Sequence, residues 1–312
     1  MTEDKTKVYT DQQIKQVLYK LYDLINRQIE SSEYGDYATF LNWGYVSGDT
    51  PSHSVVQLPK IYLNKSSTQL ILELVGDTPM DNRHVLDVGC GRGGALSCID
   101  TFFNAKSLTG IDLNSENISF CKKKFKNISF QEGNAESLPF QDHTSDIVMN
   151  IESSSNYLNI GSFFLEVSRV LKPDGVFLYT DIFNLQDLDD YFPFLKKAGF
   201  KLEVNRDITS NVLIARDEAS AGFVMGMDGF KGIDKLSVEE CCKMIDLYSA
   251  HKGTRSYKLL QSGQFVYRMF RFRKVGNPAE NIHLRISNHS KNRVSNFCSE
   301  LLGQEIMEKM ID

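Results

Sequence analysis

The sequence predicts an α/β fold with a doubly wound, Rossmann-like sheet of seven strands. From His84 to residue 183, short apolar runs of four to nine residues alternate with stretches that have a helical spacing of apolar residues. This alternation is typical of a parallel sheet whose strands are buried on both faces. A glycine-rich segment directly after the first run favours the same fold, because doubly wound sheets bind ligands at that turn.

The elements follow in order along the chain. A helix with one apolar face is predicted from Thr10 to Glu30, and Thr10 with Gln13 forms a capping-box pattern at its start. A second helix is predicted over much of residues 55–75. Five strands are predicted at the segments HVLDV, LTGID, NISF, DIVMNIE and GVFLYTDIF, and two more at residues 202–207 and 264–274.

The other segments divide the chain around this sheet. We expect an N-terminal helical segment and substrate lid over residues 1–78, and a core over residues 79–274. The core is expected to carry a lid insertion at residues 211–262, which is rich in Gly, Met and Phe. A helical C-terminal extension is expected over residues 275–312.

Composition argues against several classes of protein. The 312 residues carry a formal net charge of −5, whereas a general nucleic-acid-binding protein needs a surplus of Lys and Arg on one face. The basic run Lys122–Lys126 is interpreted as the solvated face of a helix. No segment approaches the ~18 continuous apolar residues that span a bilayer, so we expect a cytoplasmic protein without stable membrane insertion. We expect it to be a monomer or a homodimer. The spacing of the six cysteines suits no metal site.

The loop after the first predicted strand, residues 89–94 (GCGRGG), needs backbone conformations that glycine adopts most easily. Alone, it also fits the GxGxxG pattern of nicotinamide-dependent enzymes, and Asp112 could hold a ribose in either case. Asp87, however, lies two residues before Gly89. A carboxylate there would disfavour a pyrophosphate and suits a cationic ligand.

Four segments in this order resemble those of class I S-adenosylmethionine-dependent methyltransferases: VLDVGCGRGG, TGIDLN, GNAESLPF and VLKPDG. The resemblance implies S-adenosylmethionine as cofactor and an antiparallel seventh strand. It also implies that Asp87 and Gly89 meet the methionine end of the cofactor and that Asp112 chelates the ribose hydroxyls. Asn134, where the family usually has Asp, and Ala135 would meet the adenine. The further cofactor-binding candidates are Gly91, Leu113, Glu136 and Asn150.

Segments outside residues 84–183 resemble the methyltransferases of small natural products and lipids. They are FLNWGY at residues 40–45, AGF at 198–200, DITSNV at 207–212 and two segments within residues 252–267. The substrate-binding candidates are Trp43, Tyr45, Tyr157, Phe223, Met227 and Tyr257, although core packing explains Trp43 and Tyr45 equally well.

The segment ESSSNY at residues 152–157 raises the question of the general base. The family's fourth strand ends in a pattern like ESxHxY, which places Ser155 where that His would be. Serine is not an efficient base at neutral pH, and an alkyl hydroxyl must lose its proton during attack, whereas a phenol or carboxylic acid needs less help. Either the base comes from elsewhere, or the substrate does not require one. His251 is the best histidine for this role, and Glu152 could act only if burial raised its pKa. The catalytic candidates are therefore His251, Glu152 and Ser155.

The sequence therefore predicts methyl transfer to a hydroxyl oxygen of a small, largely apolar molecule, such as a polyketide or peptide product. Transfer to nitrogen or carbon of a lipid or another small molecule is the alternative. A nicotinamide-dependent oxidoreductase and a non-catalytic protein that assembles through its C-terminal helix are the competing classes.

Overall fold

A sheet of seven strands organises the part of the chain that the computed structural model describes, which is residues 9–31, 35–222, 237–279, 302 and 304–311. The order across the sheet is β3-β2-β1-β4-β5-β7-β6. Strands β1 to β5 pair in parallel, and β7 runs antiparallel to both β5 and β6. The predicted fold class and the antiparallel seventh strand are confirmed. The strands are β1 (His84–Val88), β2 (Ser107–Asp112), β3 (Ser129–Glu132), β4 (Ser145–Ile151), β5 (Leu171–Asn184), β6 (Phe200–Asp207) and β7 (Phe265–Lys274).

Helices pack on both faces of this sheet. Successive side chains of a strand point to opposite faces, so Ile147 and Met149 of β4 join one apolar cluster and Val148 joins another. The helices are α1 (Asp11–Ser31), α2 (Lys65–Val75), α3 (Gly94–Phe102), α4 (Ser115–Lys124), α5 (Ile160–Val170), α6 (Leu188–Lys197), α7 (Thr209–Gly222), α8 (Val238–Ser249), α9 (Arg255–Gln261) and α10 (Gln304–Ile311). Among the helices in the described ranges, none is both long and apolar enough to cross a bilayer.

The two helix starts predicted near the N-terminus have different outcomes. The capping box of α1 is confirmed, because Thr10 N donates to Gln13 Oε1 at 2.9 Å and Gln13 N donates to Thr10 Oγ1 at 3.3 Å. The helix predicted over much of residues 55–75 begins only at Lys65, so its predicted first part is wrong. Pro59 disfavours helical backbone at the residue before it, and Asn64, with φ at 54°, is left-handed.

Three helices from distant parts of the chain form a cap beside the sheet. Apolar side chains of α1, α8 and α10 share one cluster with Leu158, which follows β4. Gln16 on α1 donates to the carbonyl oxygens of Met310 and Ile311 at 3.3 and 3.1 Å. Lys309 on α10 pairs with Glu240 on α8. The division of the chain at residues 78 and 274, and the lid at residues 211–262, stay predictions.

Candidate active site

A cavity of about 600 Å³ lies at the carboxyl ends of the central parallel strands. Its volume is in the range of small-molecule sites, and its position is where open α/β sheets bind ligands. The N-terminal segment 39–42 forms part of its wall. The predicted cofactor residues that line it are Asp87, Gly89, Gly91, Asp112, Leu113, Asn134, Ala135 and Glu136.

The glycine loop at the end of β1 is shaped by contacts that exclude a larger residue at position 89. Gly89 has a φ of 77°, and a Cβ atom there would lie 1.9 Å from Ser153 Oγ and 2.8 Å from the Tyr157 hydroxyl. The backbone N–H groups of Gly89 and Cys90 both donate to Ile111 O, at 2.8 and 3.0 Å. The loop is therefore fixed against β2, and its backbone faces the cavity.

Asp112 at the end of β2 connects this loop to the next turn. Its Oδ2 atom accepts from Gly91 N at 2.8 Å, and its Oδ1 atom accepts from Asn114 N at 2.9 Å. Burial raises the pKa of this carboxyl, although both hydrogen bonds oppose the rise. Asp112 thus shapes the loop as well as presenting a carboxylate to the cavity.

Asp87 supplies a buried acceptor without a partner of its own. Its side chain is almost fully buried, and within the described residues its Oδ1 atom accepts no hydrogen bond. Burial, assisted by the charge of Asp112, raises the pKa of Asp87 to about 7. A buried, unpaired acceptor is costly to fold, so a cationic donor that enters the cavity gains a strong interaction there. The ammonium group of a methionine moiety meets this requirement.

The opposite end of the cavity lies after β3. Asn134 Oδ1 accepts from Glu136 N at 2.9 Å, which leaves one of its two acceptor positions for a ligand. Glu136 Oε1 accepts from Asn159 N at 3.0 Å and ties this turn to the start of α5. Ala135 is buried, whereas Leu113 is exposed and can cover a flat apolar ring.

Asn150 lies behind the cavity wall and holds two of the residues that line it. It is fully buried on β4, and its amide donates to Val88 O at 2.7 Å and to the Tyr157 hydroxyl at 3.0 Å. Tyr157 itself lines the cavity. Asn150 therefore positions Tyr157 and the end of β1.

A second cavity of about 50 Å³ adjoins the first and is mostly apolar. The two cavities share wall residues from α1, from the end of β4 and from α8. The shared residues are Leu18, Tyr22, Glu152, Asn156 and Tyr248. The small cavity is also lined by Leu21, Trp43, Ser155, Asp181, Ile182, Met244, Tyr267 and Leu302.

Glu152 lies at the junction of these two cavities. Its Oε1 atom accepts a hydrogen bond from Trp43 N at 2.7 Å and another from the Tyr267 hydroxyl. Burial raises the pKa of Glu152 to about 8, the charge of Asp181 adds to the rise, and the two hydrogen bonds oppose it. A cavity-facing carboxyl that titrates near neutral pH is suited to proton transfer.

The three consecutive serines at residues 153–155 form a short turn that follows β4 and is hydrogen-bonded to Asp181 of β5. Ser153 Oγ and the Tyr157 hydroxyl are hydrogen-bonded at 2.6 Å. Ser154 Oγ and Ser155 N both donate to Asp181 Oδ2, at 2.6 and 2.9 Å. The run is therefore a fixed part of the cavity wall, and Ser155 contributes its backbone N–H to that arrangement.

Sequence reasoning missed several residues that line the two cavities, among them Tyr22, Asn156, Tyr248, Asp181 and Tyr267. Asp181 is a lone acidic residue within the apolar run of β5, and a buried charge of that kind is a signal that could have been used. Tyr267 is the last residue of the segments within residues 252–267 that resemble the family, and that position was the signal available for it.

Besides Asn150, three described residues from the prediction line neither of these two cavities. His251 Nδ1 is hydrogen-bonded to Ser249 Oγ at 3.1 Å, just beyond α8. Tyr45 is buried, and its hydroxyl accepts from Arg206 at 3.4 Å. The Tyr257 hydroxyl donates to Asp217 Oδ1 at 2.7 Å. Of the other predicted substrate residues, Trp43 and Tyr157 line a cavity, whereas Phe223 and Met227 lie outside the described residues.

Comparison with known proteins assigns the family. A family model described as a methyltransferase domain matches residues 86–179. The fatty-acid O-methyltransferase of Mycolicibacterium smegmatis is 32% identical over 248 residues, which cover 78% of this chain and 85% of that protein. The chain belongs to the class I S-adenosylmethionine-dependent methyltransferases. The methyltransferase is also similar to the phthiotriol/phenolphthiotriol dimycocerosates methyltransferase of Mycobacterium tuberculosis, with 29% identity over 276 residues, 83% of this chain and 93% of that one.

Solved structures share the fold of this methyltransferase. The [4+2]-cyclase SpnF matches with a TM-score of 0.63 and 17% identity, over 88% of this chain and 98% of that chain. A geranyl diphosphate methyltransferase in complex with S-adenosylmethionine matches with a TM-score of 0.52 and 18% identity, over 68% and 87% of the two chains. The family assignment decides between the two ligands that the glycine loop alone left open, and the cofactor is S-adenosylmethionine.

Cofactor affinity is expected to depend on pH through Asp87. The raised pKa, about 7, means that Asp87 is increasingly protonated as the pH falls below neutral, and the ammonium group then loses its anionic partner. Calorimetric titration with S-adenosylmethionine should show affinity falling by up to about tenfold per unit between pH 7 and 5.5. Affinity should also fall above about pH 8, where an α-amino group loses its proton. Asp87→Asn should bind weakly without the acid limb, and pH-independent binding by the wild type from pH 5.5 to 7 would refute this role.

Proposed function

We propose that this methyltransferase transfers the methyl group of S-adenosylmethionine to a hydroxyl oxygen of a small, largely apolar, lipid-like molecule. The observation that carries the proposal is the position of Glu152, a half-buried carboxyl whose pKa is raised to about 8 and which lies between the cofactor cavity and the apolar cavity. Bound S-adenosylmethionine supplies a methyl group that its sulfonium already activates. The protein must align the acceptor oxygen and remove its proton.

Glu152 is suited to remove that proton. Within the described residues, both hydrogen bonds to its carboxyl end on Oε1, so we assign Oε2 to the acceptor hydroxyl. The donors, Trp43 N and the Tyr267 hydroxyl, fix the orientation of the carboxylate. Because its pKa is raised, the ionised form of Glu152 is a stronger base than an ordinary glutamate.

The walls of the small cavity support an apolar acceptor. Leu18 and Leu21 of α1, Met244 of α8 and Leu302 surround the space next to Glu152. Such walls bind an alkyl chain through the hydrophobic effect and exclude water from the reacting atoms. The names of the two relatives described above, one a fatty-acid and one a phthiotriol/phenolphthiotriol methyltransferase, favour a lipid-like acceptor over a peptide product.

The charges beside the small cavity favour a hydroxyl over a carboxylate acceptor. Asp181 lines this cavity beside Glu152, so an ionised fatty acid would place its carboxylate next to Asp181 and would oppose the ionised form in which Glu152 acts as a base. A hydroxyl can instead donate a hydrogen bond to Glu152. A hydroxyl acceptor would distinguish the proposed reaction from that named for the fatty-acid O-methyltransferase.

The proposal is tested with acceptors that share one alkyl chain and differ only in the terminal group. The purified methyltransferase is incubated with methyl-labelled S-adenosylmethionine and a long-chain alcohol, carboxylic acid or amine, and the products are identified by mass spectrometry. We expect a methyl ether from the alcohol. A methyl ester or an N-methyl product as the main outcome would show that the acceptor atom is a carboxylate oxygen or a nitrogen and would refute the hydroxyl acceptor. If no acceptor gives a product while cofactor binding is intact, the lipid-like class of acceptor is refuted.

A further inference from the structure

Two neighbouring loops beside the cofactor cavity expose large apolar side chains. Tyr37, Ile61 and Leu63 are 60%, 93% and 69% exposed, and we call these three residues the rim patch. Asn64 Nδ2 donates to Tyr37 O at 3.4 Å, so the two loops touch. The segment after Tyr37, residues 39–42, lines the cofactor cavity, which places the rim patch beside the cavity wall.

Exposed lysines surround the rim patch. Lys60 and Lys65 flank it in sequence, and Lys65 Nζ donates to Lys60 O at 3.2 Å. Lys124 Nζ lies 5.8 Å from the centre of the Tyr37 ring and donates to Asp36 O at 2.5 Å. The rest of the basic run, Lys122, Lys123 and Lys126, is exposed beside Lys124. Glu30, Asp36 and Glu116 line a surface pocket together with Lys123. The six exposed lysines named above outnumber these three carboxylates, so the local charge is positive although the chain has a net charge of −5.

We propose that the rim patch docks the methyltransferase on the surface of an anionic lipid bilayer. Apolar side chains that protrude from a loop enter the boundary between headgroups and acyl chains, and lysines beside them attract anionic headgroups. The patch has only three apolar side chains, which is far smaller than the roughly 800 Å² per partner of a stable protein interface. A few residues of this kind suffice for reversible attachment to a charged membrane, because the lysines add to the apolar contribution.

Docking would bring the cavity beside residues 39–42 to a surface in which apolar molecules dissolve. This consequence rests on the proposed function, since it assumes an apolar acceptor. The docking itself does not, because attachment to vesicles requires neither an acceptor nor methyl transfer. The two proposals can therefore fail separately.

Vesicle sedimentation tests the docking. The full chain is mixed with vesicles of phosphatidylcholine alone or with added phosphatidylserine, at low and high salt. We expect binding to the phosphatidylserine vesicles, weakened by salt and weak on neutral vesicles. The double variant I61S/L63S should lose about tenfold or more in vesicle affinity. The double variant K60E/K65E should lose about fivefold for each lysine replaced.

Matched controls come from the far edge of the sheet. Leu202 and Lys201 are exposed on β6, so L202S and K201E should bind vesicles like the wild type. Calorimetry with S-adenosylmethionine verifies that all variants are folded. Docking is refuted if the wild type does not bind anionic vesicles, or if I61S/L63S binds them with the affinity of the wild type. It is also refuted if light scattering shows that the wild type is a dimer and I61S/L63S a monomer, because the rim patch would then be a contact between two copies of the chain.

Discussion

Glu152→Gln is expected to lower kcat by about 10²- to 10⁴-fold, the usual contribution of a general base, and to leave the affinity for S-adenosylmethionine nearly unchanged. Glutamine keeps a side-chain oxygen that can accept from Trp43 N and from the Tyr267 hydroxyl, so the wall between the cavities should persist. Glutamine cannot take up a proton from the acceptor. Steady-state rates with the alcohol acceptor, together with calorimetry for the cofactor, separate these two effects.

The pH profile gives an independent check of the same base. Glu152 is proposed to act in its ionised form. At saturating S-adenosylmethionine, the wild-type kcat/KM for the alcohol acceptor should therefore rise with pH and level off above about pH 8. Glu152→Gln should lose this rising limb. The control is Ser155→Ala, which keeps the backbone N–H that binds Asp181 and should retain most of the activity. If Glu152→Gln stays active whereas His251→Ala abolishes turnover, the base is His251 and our assignment is wrong.

Asp112→Ala is expected to weaken S-adenosylmethionine binding by about 10²-fold or more. The substitution removes the acceptor that we predict for the ribose hydroxyls, and it also removes the acceptors for Gly91 N and Asn114 N. Each hydrogen bond to a charged group is worth about 1.5–3 kcal/mol. Calorimetry measures the loss directly. Asp100→Ala, which changes an exposed carboxylate on α3, is the matched control.

A second titration tests the choice of ligand. NADH fluorescence should show no binding to the wild type or to Asp112→Ala, because the pocket is built for a cationic ligand near Asp87. Normal cofactor binding by Asp112→Ala would mean that this carboxylate holds only the loop and contributes nothing to ribose recognition.

The fold could be predicted because its signals are local, and the residues proposed to bind the cofactor were found in the same way. The glycine loop follows β1 directly, and Asp112 is the last residue of β2, so strand order brings both to one edge of the sheet, where they line one cavity. The cavity-lining positions are thus set by short segments whose spacing is visible in the chain.

The acceptor site could not be predicted in the same way. Glu152 accepts hydrogen bonds from Trp43 and Tyr267, which lie 109 and 115 positions away in the sequence. No local sequence pattern encodes such contacts. Because Ser155 stands where the family pattern has a histidine, the sequence favoured another histidine, His251, as the base. The burial that raises the pKa of Glu152 arises only from tertiary packing. The error at the start of α2 had a different source, since the chain before Lys65 carries helical spacing but contains Pro59.

The hydrogen bond from Trp43 N to Glu152 ties the N-terminal segment to the residue that changes charge in the proposed reaction. A neutral carboxyl accepts a weaker hydrogen bond than a carboxylate. In the proposed reaction, a turnover that leaves a proton on Glu152 would therefore weaken this hydrogen bond, and loss of that proton to water would restore it. The strength of the contact with Trp43 and the protonation state of Glu152 would then be linked equilibria that share a single oxygen atom.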